Sequence, residues 1–503
     1  MGMIDGMDNL AAGLQWQLLD IRVEPEALLE ALFAEEEPAI LESSATHPDF
    51  GRYTIFAVRP VEVLTLREGI LVNRRGNVLA KGATEFWPAL ERAFGSVSIN
   101  KADCPAPYVP GWIGYVGYEV GRLVERLPGR ARRDTPLPDL RLAFYDAILV
   151  YDALQLRWWL AELKFDRHIE RTGQAGEALR RLIDAVKEPQ AVPLSPQDCP
   201  AVGTEAPSEA MANFSPDQYR RAVRRCIDYI AAGDVFQVNL SQRFAIADAP
   251  APEAIYRALR RRNPSWHAAF LRFESAGQTC AVLSSSPELF LRRRGDCVLT
   301  RPIKGTRRRA GDDDTDQAAA AELLASAKDN AELAMIIDLL RNDLGRVCRY
   351  GSVEVVEPRR LEAHPTVFHL TGAIRGRLQD GVGAAGLLRA CFPGGSITGA
   401  PKIRAMEIID ELEALARGVY TGCIGIVGAD GSCEWNIAIR TIVCDGNLAL
   451  VQVGGGIVAD SDPQAEYVET LDKARALLEA VAQARAGGAA MMAKTPMAEP
   501  SRR

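Results

Sequence analysis

The chain has 503 residues, 48% hydrophobic and 25% charged, with a formal net charge of −7. That length holds two or three ordinary domains or one large α/β body, and the composition excludes a disordered or fibrous chain. The acidic balance argues against nucleic acid, so an anionic substrate needs positive charge focused locally.

The first twenty residues carry acids where a signal peptide needs a basic region, and nowhere do about 18 uncharged apolar residues follow one another. The ten cysteines include no C-x-x-C pair, which predicts reduced thiols and a cytoplasmic protein. Residues 15–187 read as an N-terminal lobe in which short β-rich runs (71–73, 147–151, 156–160) alternate with turns and a helical stretch, 175–186. Prolines at 189, 193, 196, 200 and 207 mark 188–211 as a linker. From 215 to 486 the text is one dense catalytic block, and 487–503 reads as a disordered tail.

Within the block, Ser215-Pro216-Asp217 opens a helix ending at Gly233, followed by the strand-like FQVNLSQRF. In CAVLSSSPELFLRR, Glu288 falls in or beside a turn. RPIKGTRRR sets Lys304 where a strand gives way to a loop. A lysine becomes a nucleophile only if its pKa, ~10.4 in water, is pulled down by burial or by nearby positive charge. Arg307, Arg308, Arg309 and the apolar Ile303 are the candidates for doing so.

SAKDNAELAMIIDLLRNDLGRV predicts a helix capped by Asp329 or Asn330, with Leu333, Ile336, Ile337, Leu340, Leu344 and Val347 on one stripe and Glu332 on its polar edge. CFPGGSITGAPKIRAMEIIDELE places Gly394, Gly395, Thr398 and Gly399 before a helix opened by Pro401. VQVGGGIVADSD sets Gly454, Gly455 and Gly456 between a strand and a helix start, where backbone N–H groups approach an anion closely. Neither has the spacing of a nucleotide-binding P-loop. The last helix starts at Pro463 and puts Glu466, Glu469 and Lys473 on one face, a pattern that serves equally as a solvated ion-pair surface or as half of a Mg²⁺ site.

The ordered set PIKGT, DLLRNDLGRV, FPGGSITGAPKIRAMEIIDELE, IAIRT and GGGIVADSDPQAEYVETLDKA resembles the chorismate-utilising enzymes over 215–480, and ILESSATHPDFGRYTIFA with GYVGYE is similar to the lobe of the ammonia-using members. The resemblance implies an α+β fold of the anthranilate-synthase component I type, with antiparallel β-sheets packed in a sandwich and helices outside. Members that add water have a lysine where this chain has Gln237, which disfavours water addition. Anthranilate-forming members usually read P-I-A-G-T, whereas PIKGT resembles those making 4-amino-4-deoxychorismate for para-aminobenzoate and folate; anthranilate synthesis is the alternative, and a non-catalytic chorismate-binding subunit the remote one.

Carried onto this chain, the resemblance makes Lys304 the nucleophile and Glu288 the acid. It gives Mg²⁺ to Glu332, Glu466 and Glu469, and the substrate to His369, Thr398, Tyr420, Arg440, Lys473 and the three glycines. No glutaminase elbow is present in the sequence, so ammonia comes from a separate glutamine amidotransferase subunit or from solution. A tryptophan site between L-L-E-S-type and N-P-S-P-Y-type segments would here be filled by Trp266 of NPSWHAAF, so no tryptophan feedback is expected.

Overall fold

The computed structural model describes residues 10–99, 104–187, 210–364 and 367–493. Among the described residues two large, mainly antiparallel sheets of 13 and 12 strands stack face to face. Strands 53–57, 147–152 and 267–275 send Ile55, Val150, Ala269 and Leu271 inward. Ile113, Tyr115, Ala143, Ile424 and Ile426 meet them from the second sheet. Alternation along each strand makes this possible, because one face goes to the shared core and the other to helices.

On the outer face of the first sheet, Leu28, Leu32, Leu179, Ile255, Leu259, Leu477 and Val481 come from four helices and cover Phe56, Leu149, Leu160, Phe270 and Leu283. The second sheet is covered in the same way by Phe86, Leu90, Leu333, Ile336, Leu340, Leu388 and Met406. The arrangement is the expected α+β sandwich with outer helices.

Both sheets run through both halves of the sequence. Strand Ala39–Glu42 pairs antiparallel with His267–Ser275 (Leu41 opposite Ala269), and Gly111–Val116 pairs with Cys423–Gly428 (Ile113 opposite Ile426). The N-terminal lobe is therefore hydrogen-bonded into the same two sheets as the catalytic block, and residues 188–209 of the linker lie outside the described residues. The tail expectation is corrected in part. Helix Pro463–Ala493 continues seven residues past the predicted end, through Gly487 and Gly488 into an Ala- and Met-rich stretch. Residues 494–503 lie outside the described residues.

Helix Ala327–Gly345 is capped one turn earlier than expected: the Ser326 hydroxyl accepts the Asp329 N–H, so Glu332 sits in the second turn. Helix Pro463–Ala493 begins as expected, with the Asp462 carboxylate accepting the N–H groups of Gln464 and Ala465 at 3.0 and 2.8 Å. Among the described residues no helix is long and apolar enough to cross a membrane.

Candidate active site

The site forms where strand Ile303–Arg308, strands Gln237–Ile246 and Leu448–Ile457, and helices Ala327–Gly345 and Pro463–Ala493 meet. Lys304 is inside a strand, paired opposite Leu370, rather than at a strand-to-loop transition. Gly305 has φ +75°, and the pairing register slips between Lys304 and Thr306. A glycine in left-handed conformation at a bulge re-aims the neighbouring side chain. Lys304 Nζ then reaches the Ser396 carbonyl at 3.4 Å.

Burial lowers the Lys304 pKa and the nearby Lys473 ammonium adds to this, while Glu332 and Glu288 oppose it. The arginine explanation is overturned. Arg307 is engaged by Glu322 and Asp329 at 2.9 and 3.1 Å, and Arg309 by Asp316 at 2.9 Å, because alternation and the bulge turn them to the helix Asp313–Ala325 side.

Glu288 follows strand Gln278–Ser286 and is 4% exposed. Burial pushes its carboxyl up to about 7, against hydrogen bonds from the Ser396 side chain and the Ile303 backbone and the charge of Lys304. Such a group holds a proton near neutral pH and can donate it. Ser396, which the motif did not single out, thus touches both Lys304 through its carbonyl and Glu288 through its hydroxyl.

The three glycines are strand residues, not a turn: Gly454, Gly455 and Gly456 lie opposite Ser241, Leu240 and Asn239. Their contribution is space. A Cβ on Gly455 would stand 3.2 Å from a Glu466 oxygen, 3.7 Å from Glu469 and 3.8 Å from Lys473 Nζ; one on Gly456 would stand 2.3 Å from the Gln237 amide nitrogen and 3.4 Å from Lys304 Nζ. The Gly454 carbonyl accepts Lys473 Nζ at 2.9 Å, so its backbone faces away from strand Gln237–Ile246; the period of two turns the Gly456 amide to the same edge. Neither amide atom of Gln237 has a hydrogen-bond partner among the described residues, although the side chain is fully buried beside Lys304.

Glu332 and Glu466 have raised pKa values, burial being the chief cause; the Lys304 and Lys328 charges oppose it at Glu332, and the Ser461 hydroxyl, 2.6 Å away, opposes it at Glu466. Glu469 is lowered, first by Lys473, 2.6 Å away. Both raised groups also feel the Glu469 charge. Among the described residues no three such side chains converge closely enough to clasp an ion. Crowded, under-compensated carboxylate oxygens nevertheless suit Mg²⁺, which needs only one or two of them and completes its shell with water and substrate oxygens.

The remaining residues line up around this centre. Arg440 adopts φ +51°, a left-handed conformation that costs energy for a non-glycine residue, and donates to the Lys473 carbonyl at 2.8 Å. Burial lowers its pKa. His369, on the strand beside Lys304, is held neutral with its pKa pushed down to about 3 by burial and by the His364 and Arg440 charges, and its Nδ1 lies 2.9 Å from the Thr306 hydroxyl. Tyr420 is buried under Arg417 and near Arg440, and its phenol stays protonated. The Thr398 hydroxyl donates to the Gly394 carbonyl at 3.0 Å, bracing the glycine loop. Trp266 is 7% exposed, with its ring 4.2 Å from that of His364 and 4.6 Å from that of His47. With Leu41, Glu42 and Ser43 it lines a cavity of about 50 Å³.

The chorismate binding enzyme family model matches residues 43–479. Anthranilate synthase component 1 1 of Haloarcula marismortui is 40% identical over 402 residues, covering 79% of this chain and 81% of its own length. Aminodeoxychorismate synthase component 1 of Bacillus subtilis is 36% identical over 431 residues, 86% of this chain and 89% of its own. The crystal structure of anthranilate synthase component I from Streptococcus pneumoniae superposes with a TM-score of 0.70 at 31% identity, covering 86% of this chain and 93% of that one.

Proposed function

The chain belongs to the chorismate binding enzyme family, as an enzyme of the aminodeoxychorismate or anthranilate synthase component I type, and we propose that within this type it makes 4-amino-4-deoxychorismate. The observation that carries this reading is a lysine, not an alanine, in PIKGT, with its amine in the same pocket as a carboxyl held near pKa 7.

In the proposed reaction the unprotonated Lys304 Nζ forms a bond to C2 of the chorismate ring. The ring double bond shifts, and the C4–O bond breaks. Glu288 gives its proton to the leaving oxygen, which departs as water. Ammonia then bonds to C4, the double bond shifts back and the C2–N bond to Lys304 breaks, the proton lost by ammonia restoring the acid. The sum is chorismate plus ammonia giving 4-amino-4-deoxychorismate plus water. A lowered lysine pKa and a raised carboxyl pKa are the two protonation states that these roles require.

Arg440 and Lys473 are suited to hold the substrate's carboxylates, and neutral His369, with Tyr420 and Thr398, to border the ring. Glu332, Glu466 and Glu469 would hold Mg²⁺, which when bound supplies positive charge to a substrate carboxylate. The unpaired Gln237 amide offers neither a base nor a charge, so it does not activate water. Ammonia would be delivered by a glutamine amidotransferase subunit, as the "component 1" in the relatives' names suggests.

The test is product identification. Purified chain incubated with chorismate, Mg²⁺ and an ammonium salt is expected to accumulate 4-amino-4-deoxychorismate. Anthranilate in its place would assign the anthranilate reaction, and no turnover would make the chain a silent binding subunit.

A further inference from the structure

Lys328 lies one helical turn before Glu332. Its Nζ is 4.0 Å from Glu332 Oε1 and 3.8 Å from Glu466 Oε1, so one ammonium is shared by carboxylates from the two helices that frame the site. The carboxylates are enclosed, at 14% and 5% side-chain exposure, whereas the lysine side chain is 52% exposed. We propose that Lys328 is a built-in cation that occupies the Mg²⁺ position at Glu332 and Glu466 and must swing out for the metal to enter. The inference rests on the reading that these carboxylates hold Mg²⁺.

Three features support it. First, Lys473 is held by Glu469 at 2.6 Å and by the Gly454 carbonyl at 2.9 Å, and Lys304 Nζ lies against the Ser396 carbonyl at 3.4 Å. Among the described residues Lys328 is thus the lysine whose ammonium lies within 4.0 Å of both carboxylates. Second, the hold is loose. Neither contact is short enough for a hydrogen bond, and lysine placed N-terminal to glutamate at i, i+4 is the weaker orientation on a helix. A compact ammonium on a flexible stem can imitate a small metal ion and then leave for water, as a planar guanidinium could not. Third, the two cations exclude each other. Mg²⁺ binds carboxylate oxygens at about 2.0–2.1 Å, so an ion on this pair would fall within contact range of the ammonium.

The experiment uses the full-length chain and Lys328→Met, which keeps the stem and removes the charge. Mg²⁺ binding is measured by calorimetry and Mn²⁺ binding by electron paramagnetic resonance, each with and without chorismate. Lys328→Met is expected to bind the ion about tenfold more tightly, the change one well-placed charge pair of ~1.4 kcal/mol produces. In EDTA it should melt below the parent chain, and Mg²⁺ should raise its melting temperature by more. Glu332→Gln in the Lys328→Met background should remove the gain. Equal or weaker binding by Lys328→Met, with the parent still binding, overturns the proposal. So does a gain that survives Glu332→Gln. Absence of binding in both chains, with chorismate present, overturns the metal reading as well, which separates the two failures.

Discussion

Two cations, the buried Arg417 and the half-buried Lys304, flank the same glycine loop and are treated in opposite ways. Arg417 is bonded at every nitrogen. It donates to both Glu413 oxygens at 2.7 and 2.9 Å, to the Asn239 and Ile397 carbonyls at 2.7 and 3.0 Å, and to Thr421. Glu413 also accepts the Ser241 N–H at 2.7 Å, and the Tyr118 ring lies 4.8 Å from the guanidinium. From the N-terminal half, Glu119 accepts the N–H groups of Arg417 and Gly418 at 3.0 and 2.8 Å. Among the described residues Lys304 has one long hydrogen bond, and its pKa is lowered. The first is a closed joint that fixes strand, loop and Tyr420 in place; the second is left underbonded, as the proposed nucleophile requires. Burial alone does not make a charge functional; incomplete satisfaction does.

The largest expected effect breaks the open side. Lys304→Ala should lower formation of the 4-amino product by roughly 10³-fold or more, measured by chromatography of product, with melting temperature near that of the parent. Undiminished formation would remove covalent catalysis.

Breaking the closed side should act on stability instead. Arg417→Met leaves Glu413 buried without its partner, and should cost about 3–5 kcal/mol in denaturant unfolding. A loss under about 1 kcal/mol would show that the joint is not the tie described.

Glu288→Gln sharpens the contrast because it should stabilise. The Glu288 carboxyl titrates at about 7 in the folded chain against 4.5 without burial. Its contribution is therefore fully present below the unfolded pKa and is lost as pH rises through 7, since the unfolded chain releases the proton first. At pH 8 the variant should be more stable than the parent by up to about 3 kcal/mol, with the difference vanishing near pH 4, while turnover falls roughly 10²-fold or more. A variant less stable at pH 8 would contradict the raised pKa.

The smallest effect is an expected silence. With Trp266 packed between His47 and His364 and only about 50 Å³ left beside it, room for a few waters, micromolar tryptophan should give no calorimetric heat. Measurable binding would mean that the indole moves aside.

The sequence made Lys304, Glu288 and the acidic faces of two helices visible because motif spacing and helical period are local. It misjudged what lowers the Lys304 pKa, since the side on which Arg307 and Arg309 emerge depends on a bulge and on the helices packed beyond it. It set Gly454, Gly455 and Gly456 between a strand and a helix start because glycine marks both connections and close approach, and only the pairing with Ser241, Leu240 and Asn239 places them inside the strand. Lys328 and Ser396 gave no signal of their own: one is an ordinary helix lysine and the other a serine in a glycine-rich stretch, and each matters through residues distant in sequence.

What the sequence determined by itself was the family, the α+β class and the roster of chemically able side chains, because residue type and local spacing carry that information. The tertiary structure alone decided the protonation states and the partners. Burial of Glu288, the meeting of Lys328 with Glu466 across two helices, and the joining of both chain halves in two sheets are set by how distant strands pack, and that distance is what a linear reading lacks.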